Sequence, residues 1–122
     1  MSEQKSVLIA DNERVLRSLI RATLRKTDVR VLEATSGTEA LAVARQEHPH
    51  VLLLDVGLPG LDGYAVCRAL KKDPQTADIR VVMLTARAQR ADRERGAEAG
   101  ADSYITKPFS TDELREQVQR LL

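Results

Sequence analysis

The sequence is poorest in aromatic side chains and in cysteine. Its 122 residues include no Trp, and Tyr64, Tyr104 and Phe109 are the whole aromatic set. So few π-faces argue against a base-stacking platform or an aromatic-lined carbohydrate site. A single cysteine, Cys67, excludes an intramolecular disulfide and a cysteine-based zinc centre, and it fits a reducing compartment. Charge of one sign is also lacking: 19 Lys and Arg against 18 Asp and Glu leave +1. That balance gives no built-in attraction for nucleic acid or an anionic membrane. The opening residues, MSEQKSVLIA, hold no apolar stretch long enough for a signal peptide or a spanning helix, so a cytoplasmic protein is expected. There is no internal repeat, low-complexity tract or linker. With 43% hydrophobic and 30% charged residues, the composition describes one ordinary globular domain over 1–122.

What is present is an alternation of short apolar runs with longer amphipathic ones. Val7–Ala10 reads as a buried strand ending at the polar cluster Asp11-Asn12-Glu13. Val15, Leu16, Leu19, Ile20, Thr23 and Leu24 then recur at helical spacing, with Arg14, Arg17, Arg21 and Arg25 on the other side. Val29–Leu32 is a second strand, and Ser36-Gly37-Thr38-Glu39 is a capping box opening a helix through about Glu47. Val51–Leu54 is a wholly apolar strand ending at Asp55. A Gly/Pro-rich loop follows it, then a helix from about Gly63 to Lys72 that Asp73-Pro74 stops. Val81–Leu84 is the fourth strand, ending at Thr85. A charged helix from about Ala88 to Ala99 ends at Gly100. Ser103–Thr106 is a short fifth strand ending at Lys107-Pro108. Ser110-Thr111-Asp112-Glu113 caps a last helix lined by Leu114, Val118, Leu121 and Leu122. The pattern is (βα)5, an α/β domain whose continuous apolar strands imply a doubly wound parallel sheet covered on both faces.

Ligands of such sheets bind outside the carboxyl ends of the strands, near the switch in strand order. In this chain those ends carry Asp11 and Asn12, Asp55, Thr85 and Lys107. Any one of them could be polar only because it reaches water. As a set they have complementary roles. Two carboxylates brought close repel unless a cation lies between them. Their hard oxygens suit Mg2+. Such an ion, the Lys107 ammonium and the Thr85 hydroxyl could hold phosphoryl oxygens, leaving Asp55 as a carboxylate nucleophile.

Asp11-Asn12, the LLLDVGLPGLDG segment around Asp55, Thr85-Ala86 and Tyr104-Ile105-Thr106-Lys107-Pro108, in that order, resemble the receiver domain of two-component response regulators over about residues 5–122. Val81 to Phe109 is most similar to OmpR/PhoB-type receivers. The resemblance implies a five-stranded sheet of order 2-1-3-4-5 in a CheY-like three-layer sandwich. It implies that Asp55 accepts a phosphoryl group from a histidine kinase or phosphotransfer protein, and that Asp11, Asn12, Asp55 and the Gly57 carbonyl hold Mg2+. Thr85 and Lys107 would engage the phosphoryl oxygens, Thr85 and Tyr104 would move together on activation, and the Lys107-Pro108 peptide would be cis. The helix 4–strand 5–helix 5 surface would then act on a downstream effector domain or protein, or pair two copies. No direct contact with nucleic acid or membrane is implied.

The chain departs from that pattern in three places. Asn12 stands where the family usually has an acid, so Asp11, Asp55, Lys107 and Mg2+ sum to +1, and to about zero once Asp55 carries about −2. Weaker Mg2+ binding before phosphorylation is expected; the competing reading makes Asn12 a helix cap. Gly57 is smaller than the residue of many relatives; with Arg87 it would flank the phosphoryl group and admit water to it. For pairing, Arg93 and Glu113 match one expected ion pair, but Ser103 and Gln117 replace another.

From Ala86 to Ala101 no apolar side chain exceeds Ala, so helix 4 buries little, and Gly96 weakens it further. It reads as the movable element. His48-Pro49-His50 reads as a surface turn rather than a metal tract, and Cys67 as packing. The basic face of helix 1 is a solvated face or a kinase-docking one. Two other functions fit the sequence less well. A phosphatase of the haloacid-dehalogenase type would want a second Asp where Gly57 stands. A degenerate receiver, acting as a phosphorylation-independent interaction module, is supported by Asn12 alone.

Overall fold

The structure is a computed structural model that describes residues 4–86 and 90–122, with the side chains of residues 90–93 left aside. Five strands, β1 (Lys5–Ala10), β2 (Val29–Ala34), β3 (Val51–Asp55), β4 (Arg80–Thr85) and β5 (Ser103–Thr106), alternate with five helices. These are α1 (Arg14–Leu24), α2 (Gly37–Glu47), α3 (Gly63–Lys72), α4 (Arg90–Ala99) and α5 (Thr111–Leu121). All strand pairs are parallel, in the order β2-β1-β3-β4-β5. The chain therefore reverses its direction of sheet growth between β1 and β3, which opens a crevice outside their carboxyl ends.

Alternation along the strands builds two apolar layers. Leu8, Leu52, Leu54, Val81 and Met83 meet Ala40 and Ala44 of α2, Cys67 and Leu70 of α3, and Ala99 of α4. Val7, Ile9, Leu53, Val82, Leu84 and Ile105 meet Ile20 and Leu24 of α1 and Leu114 and Val118 of α5. Every strand residue in both groups is fully buried, which is why these strands read as continuous apolar runs.

The helix ends follow the chemistry expected of them. Ser36 accepts from Glu39 N–H and Ser110 from Glu113 N–H, each at 3.1 Å, although the Glu39 carboxylate reaches Thr35 N–H rather than closing the box on Ser36. At the far end of α4, Gly100 takes φ +93. Its N–H bonds the Ala97 carbonyl while Ala101 N–H bonds that of Gly96, a Schellman turn.

Helix α1 differs from its expected face. Ile20, Thr23 and Leu24 are buried and Leu16 is half-buried, but Val15 is 81% and Leu19 44% exposed. At 100° per residue, Val15 and Leu19 lie one row round the helix from the Ile20–Leu24 stripe, and the sheet reaches only that stripe. The arginines are not one solvated face either. Arg17 and Arg21 both pair with Glu33 of β2, while Arg14 and Arg25 stay exposed. The hydrogen bond from Arg21 holds the Glu33 carboxyl below the usual range; burial opposes this, and Arg17 assists it.

Candidate functional site

The crevice gathers residues from four strand ends. Asp11 follows β1 directly and is wholly buried. Its Oδ1 accepts from Glu13 N–H at 2.8 Å, and its Oδ2 accepts from Lys107 Nζ at 2.9 Å. The Asp11 carbonyl accepts from Arg17 at 2.8 Å, so the Arg17–Glu33 pair also steadies the β1–α1 loop. Asp55 ends β3, partly open to solvent. Its Oδ1 accepts from Gly57 N–H at 3.2 Å and lies 3.5 Å from Lys107 Nζ. Gly63 seats the loop after it: a Cβ there would come within 2.6 Å of the Asp55 carbonyl oxygen, and its N–H donates to the Val56 carbonyl.

Lys107 reaches both carboxylates from the end of β5, where its N–H bonds the Thr85 carbonyl at 2.7 Å and the Lys107-Pro108 peptide is cis. Burial pulls the Lys107 ammonium down, but the hydrogen bond and charge of Asp11, then the charges of Asp55 and Glu13, outweigh it. Its pKa is held above the ordinary lysine value. Thr85 is buried at the end of β4. Together with Asp55 and Gly57 it lines an open cleft of about 280 Å³.

Asn12 is exposed, and its amide bonds no described residue. The helix-cap reading of Asn12 fails, because the N-cap of α1 is Glu13 and no side chain caps it. Among the described residues no three His, Cys, Asp or Glu side chains gather as a metal centre. The donor set that remains is two carboxylates, a free amide oxygen and the Gly57 carbonyl. It is all oxygen, which fits Mg2+, with one charge fewer than three acids would give.

Sequence reasoning missed how α4 is seated. A Cβ on Gly96 would stand 2.3 Å from the Tyr104 hydroxyl and 2.5 Å from its ring, so the glycine makes room for Tyr104. On the other flank, the Arg95 guanidinium carbon lies 4.6 Å from the centroid of the Tyr64 ring. A glycine inside a helical pattern was the one signal for such a close approach. Cys67 is packing: it is fully buried, its Sγ donates to the Ala99 carbonyl, and burial pushes its thiol up to about 11. His48 and His50 are a structural turn. The first ends α2 at φ +48 and meets Asp78, and the second accepts Ser6 N–H. Of the pairing residues, Ser103 donates to Gln117 within the chain, whereas the Arg93 side chain lies outside the described residues, as does Arg87, which was expected beside the phosphoryl group.

Comparison with known proteins agrees with this geometry. The sequence profile of the response regulator receiver domain matches residues 7–119. A probable transcriptional regulator, ycf27, of Cyanophora paradoxa is 42% identical over 98% of this chain and 48% of its own length. The phosphate regulon transcriptional regulatory protein PhoB of Pseudomonas aeruginosa is 41% identical over 97% of this chain and 52% of its own. This chain thus spans about half the length of the curated relatives it matches. Among solved structures, the receiver domain of the Pseudomonas aeruginosa sensor histidine kinase PA1611 superposes with a TM-score of 0.88. It is 31% identical over 98% of both chains and has a magnesium ion in its active-site cleft.

Proposed function

The chain belongs to the response regulator receiver domain family, and on that premise we propose that Asp55 accepts a phosphoryl group from a phosphohistidine on a histidine kinase or phosphotransfer protein. In the transfer an Asp55 carboxylate oxygen attacks phosphorus, a P–O bond forms, and the P–N bond breaks with its electron pair returning to imidazole. Later hydrolysis gives back the carboxylate and inorganic phosphate, so the domain is a switch rather than a conventional enzyme. The observation that carries this reading is Lys107, 2.9 Å from Asp11 and 3.5 Å from Asp55. It keeps a positive charge where negative charge grows.

Asp55 Oδ1 is engaged by Gly57 N–H and Lys107, whereas Oδ2 accepts from no described residue and is left for attack. Asp11, Asn12, Asp55 and the Gly57 carbonyl would hold Mg2+, which supplies a Lewis acid for the phosphoryl oxygens when bound. The Thr85 hydroxyl, at the edge of the same cleft, would donate to one of those oxygens. Its movement together with Tyr104 would pass the change to the α4–β5–α5 surface, where an effector or a second copy engages. No described helix is long and apolar enough to cross a membrane.

Incubation with acetyl phosphate and Mg2+, read by intact mass, tests the proposal. One added phosphoryl is expected on the wild type and none on Asp55→Ala. A wild type that gains no mass would favour the phosphorylation-independent interaction module.

A further inference from the structure

The cleft beside Asp55 contains a second cation that the roles above do not use. Arg95 of α4 lines it with Asp55, Gly57, Tyr64, Thr85 and Ala86. Lys107 meets Asp55 from the Asp11 side and is not among the lining residues. Tyr64 is only 4% exposed, so its ring is a fixed platform, and the Arg95 guanidinium carbon rests 4.6 Å from its centroid. A cation–π contact engages the charge of the guanidinium without tying its N–H donors to an oxygen. The wall at Gly57 is open, because a Cβ there would meet nothing within 4 Å.

A phosphoryl group on Asp55 would bring about −2 charge and three acceptor oxygens into this cleft. Arg offers such oxygens a planar fork of donors. We propose that Arg95 is a second cation of the phosphoryl site, held over the Tyr64 ring and donating from there to a phosphoryl oxygen once Asp55 is phosphorylated. The inference rests on Asp55 being the phosphoacceptor. It gives α4 a contact with the phosphoryl group independent of Thr85, made next to Gly96, where Tyr104 is seated. It also covers the open Gly57 wall, shielding the acyl phosphate from water.

The test is the lifetime of the phosphoryl group after removal of acetyl phosphate, followed by intact mass in low and high salt. Arg95→Gln should shorten it by about threefold to fivefold in low salt, the scale of one exposed ion pair, and by less in high salt. Arg95→Lys should recover part of the loss. Tyr64→Leu should shorten the lifetime, and the Tyr64→Leu/Arg95→Gln double variant should do no worse than Arg95→Gln alone. Arg95 is exposed, so folding should survive its replacement, and a circular-dichroism melt checks this. An Arg95→Gln lifetime equal to or longer than that of the wild type, or a loss insensitive to salt, overturns the inference while leaving Asp55 as the acceptor. Absence of phosphoryl uptake by the wild type overturns the acceptor reading itself.

Discussion

Two lysine–aspartate pairs of the same length sit at opposite edges of one sheet. Lys107 meets Asp11 at the carboxyl edge and Lys71 meets Asp102 at the amino edge, both at 2.9 Å. Distance does not distinguish them; hydrogen-bond saturation does. Lys71 Nζ also donates to the Ala77 and Ile79 carbonyls, so all three of its protons are placed. Asp102 in turn accepts from Val81 N–H and faces Arg80. Nothing in that cluster is left to react. At the carboxyl edge, among the described residues, Lys107 has one good bond and one long contact, and Asp55 has one backbone donor and that same contact. The first pair closes a structure and the second leaves valence for a ligand.

The largest effects should come from exchanging the two lysines for methionine. Lys107→Met should slow phosphoryl uptake from acetyl phosphate by about a hundredfold, the usual loss when one preorganised donor is removed. Lys71→Met should leave uptake within about twofold, yet cost about 3 kcal/mol of stability, because a carboxylate and two carbonyls lose their partner. A melting temperature lowered by roughly 10 °C would show it. If Lys71→Met slowed uptake as much as Lys107→Met, the contrast between the edges would fail.

A smaller effect concerns the missing acid. Asn12→Asp should tighten Mg2+ about tenfold in calorimetric titration, since it adds a charge beside a divalent ion. Equal affinities would mean that position 12 does not face the metal.

Alkaline pH should separate the edges more gently. Lys107 has a raised folded pKa, so its stabilisation is complete below about pH 10.4, the unfolded lysine value, and is lost as pH rises through the folded value. Urea midpoints measured between neutral pH and about pH 12 should fall at the alkaline end, and that limb should flatten in Lys107→Met. An unchanged limb would mean that Asp11 and Asp55 do not hold the proton on Lys107.

The smallest predicted difference lies between two helices. Ile20 and Leu24 anchor α1, each with about 1.5–3 kcal/mol of burial, whereas the described residues of α4 offer only Gly96 and Ala99 to the interior. Amide exchange should be faster in α4, and equal protection would remove it as the movable element.

Much of this was legible in the sequence because strand ends are local signals. Asp11, Asp55, Thr85 and Lys107 each stop an apolar run, and parallel strands must bring those stops to one edge. The limits of that reading are physical. Which row of α1 faces the sheet depends on where β2 lies, so helical spacing alone does not tell Val15 and Leu19 from the buried stripe or show that Arg17 and Arg21 meet Glu33. Gly96 read as a weak point, whereas the ring of Tyr104 makes it a seat. Lys71 and Lys107 look alike as letters, since saturation is a property of carbonyls supplied by other segments.

The most direct test of the central claim locates the acyl phosphate itself. Borohydride reduction of the phosphorylated wild type converts a phosphorylated aspartate to homoserine, and peptide mass spectrometry finds its position. Homoserine at position 55 alone is predicted; homoserine at position 11 or 102, or at none, would contradict the account.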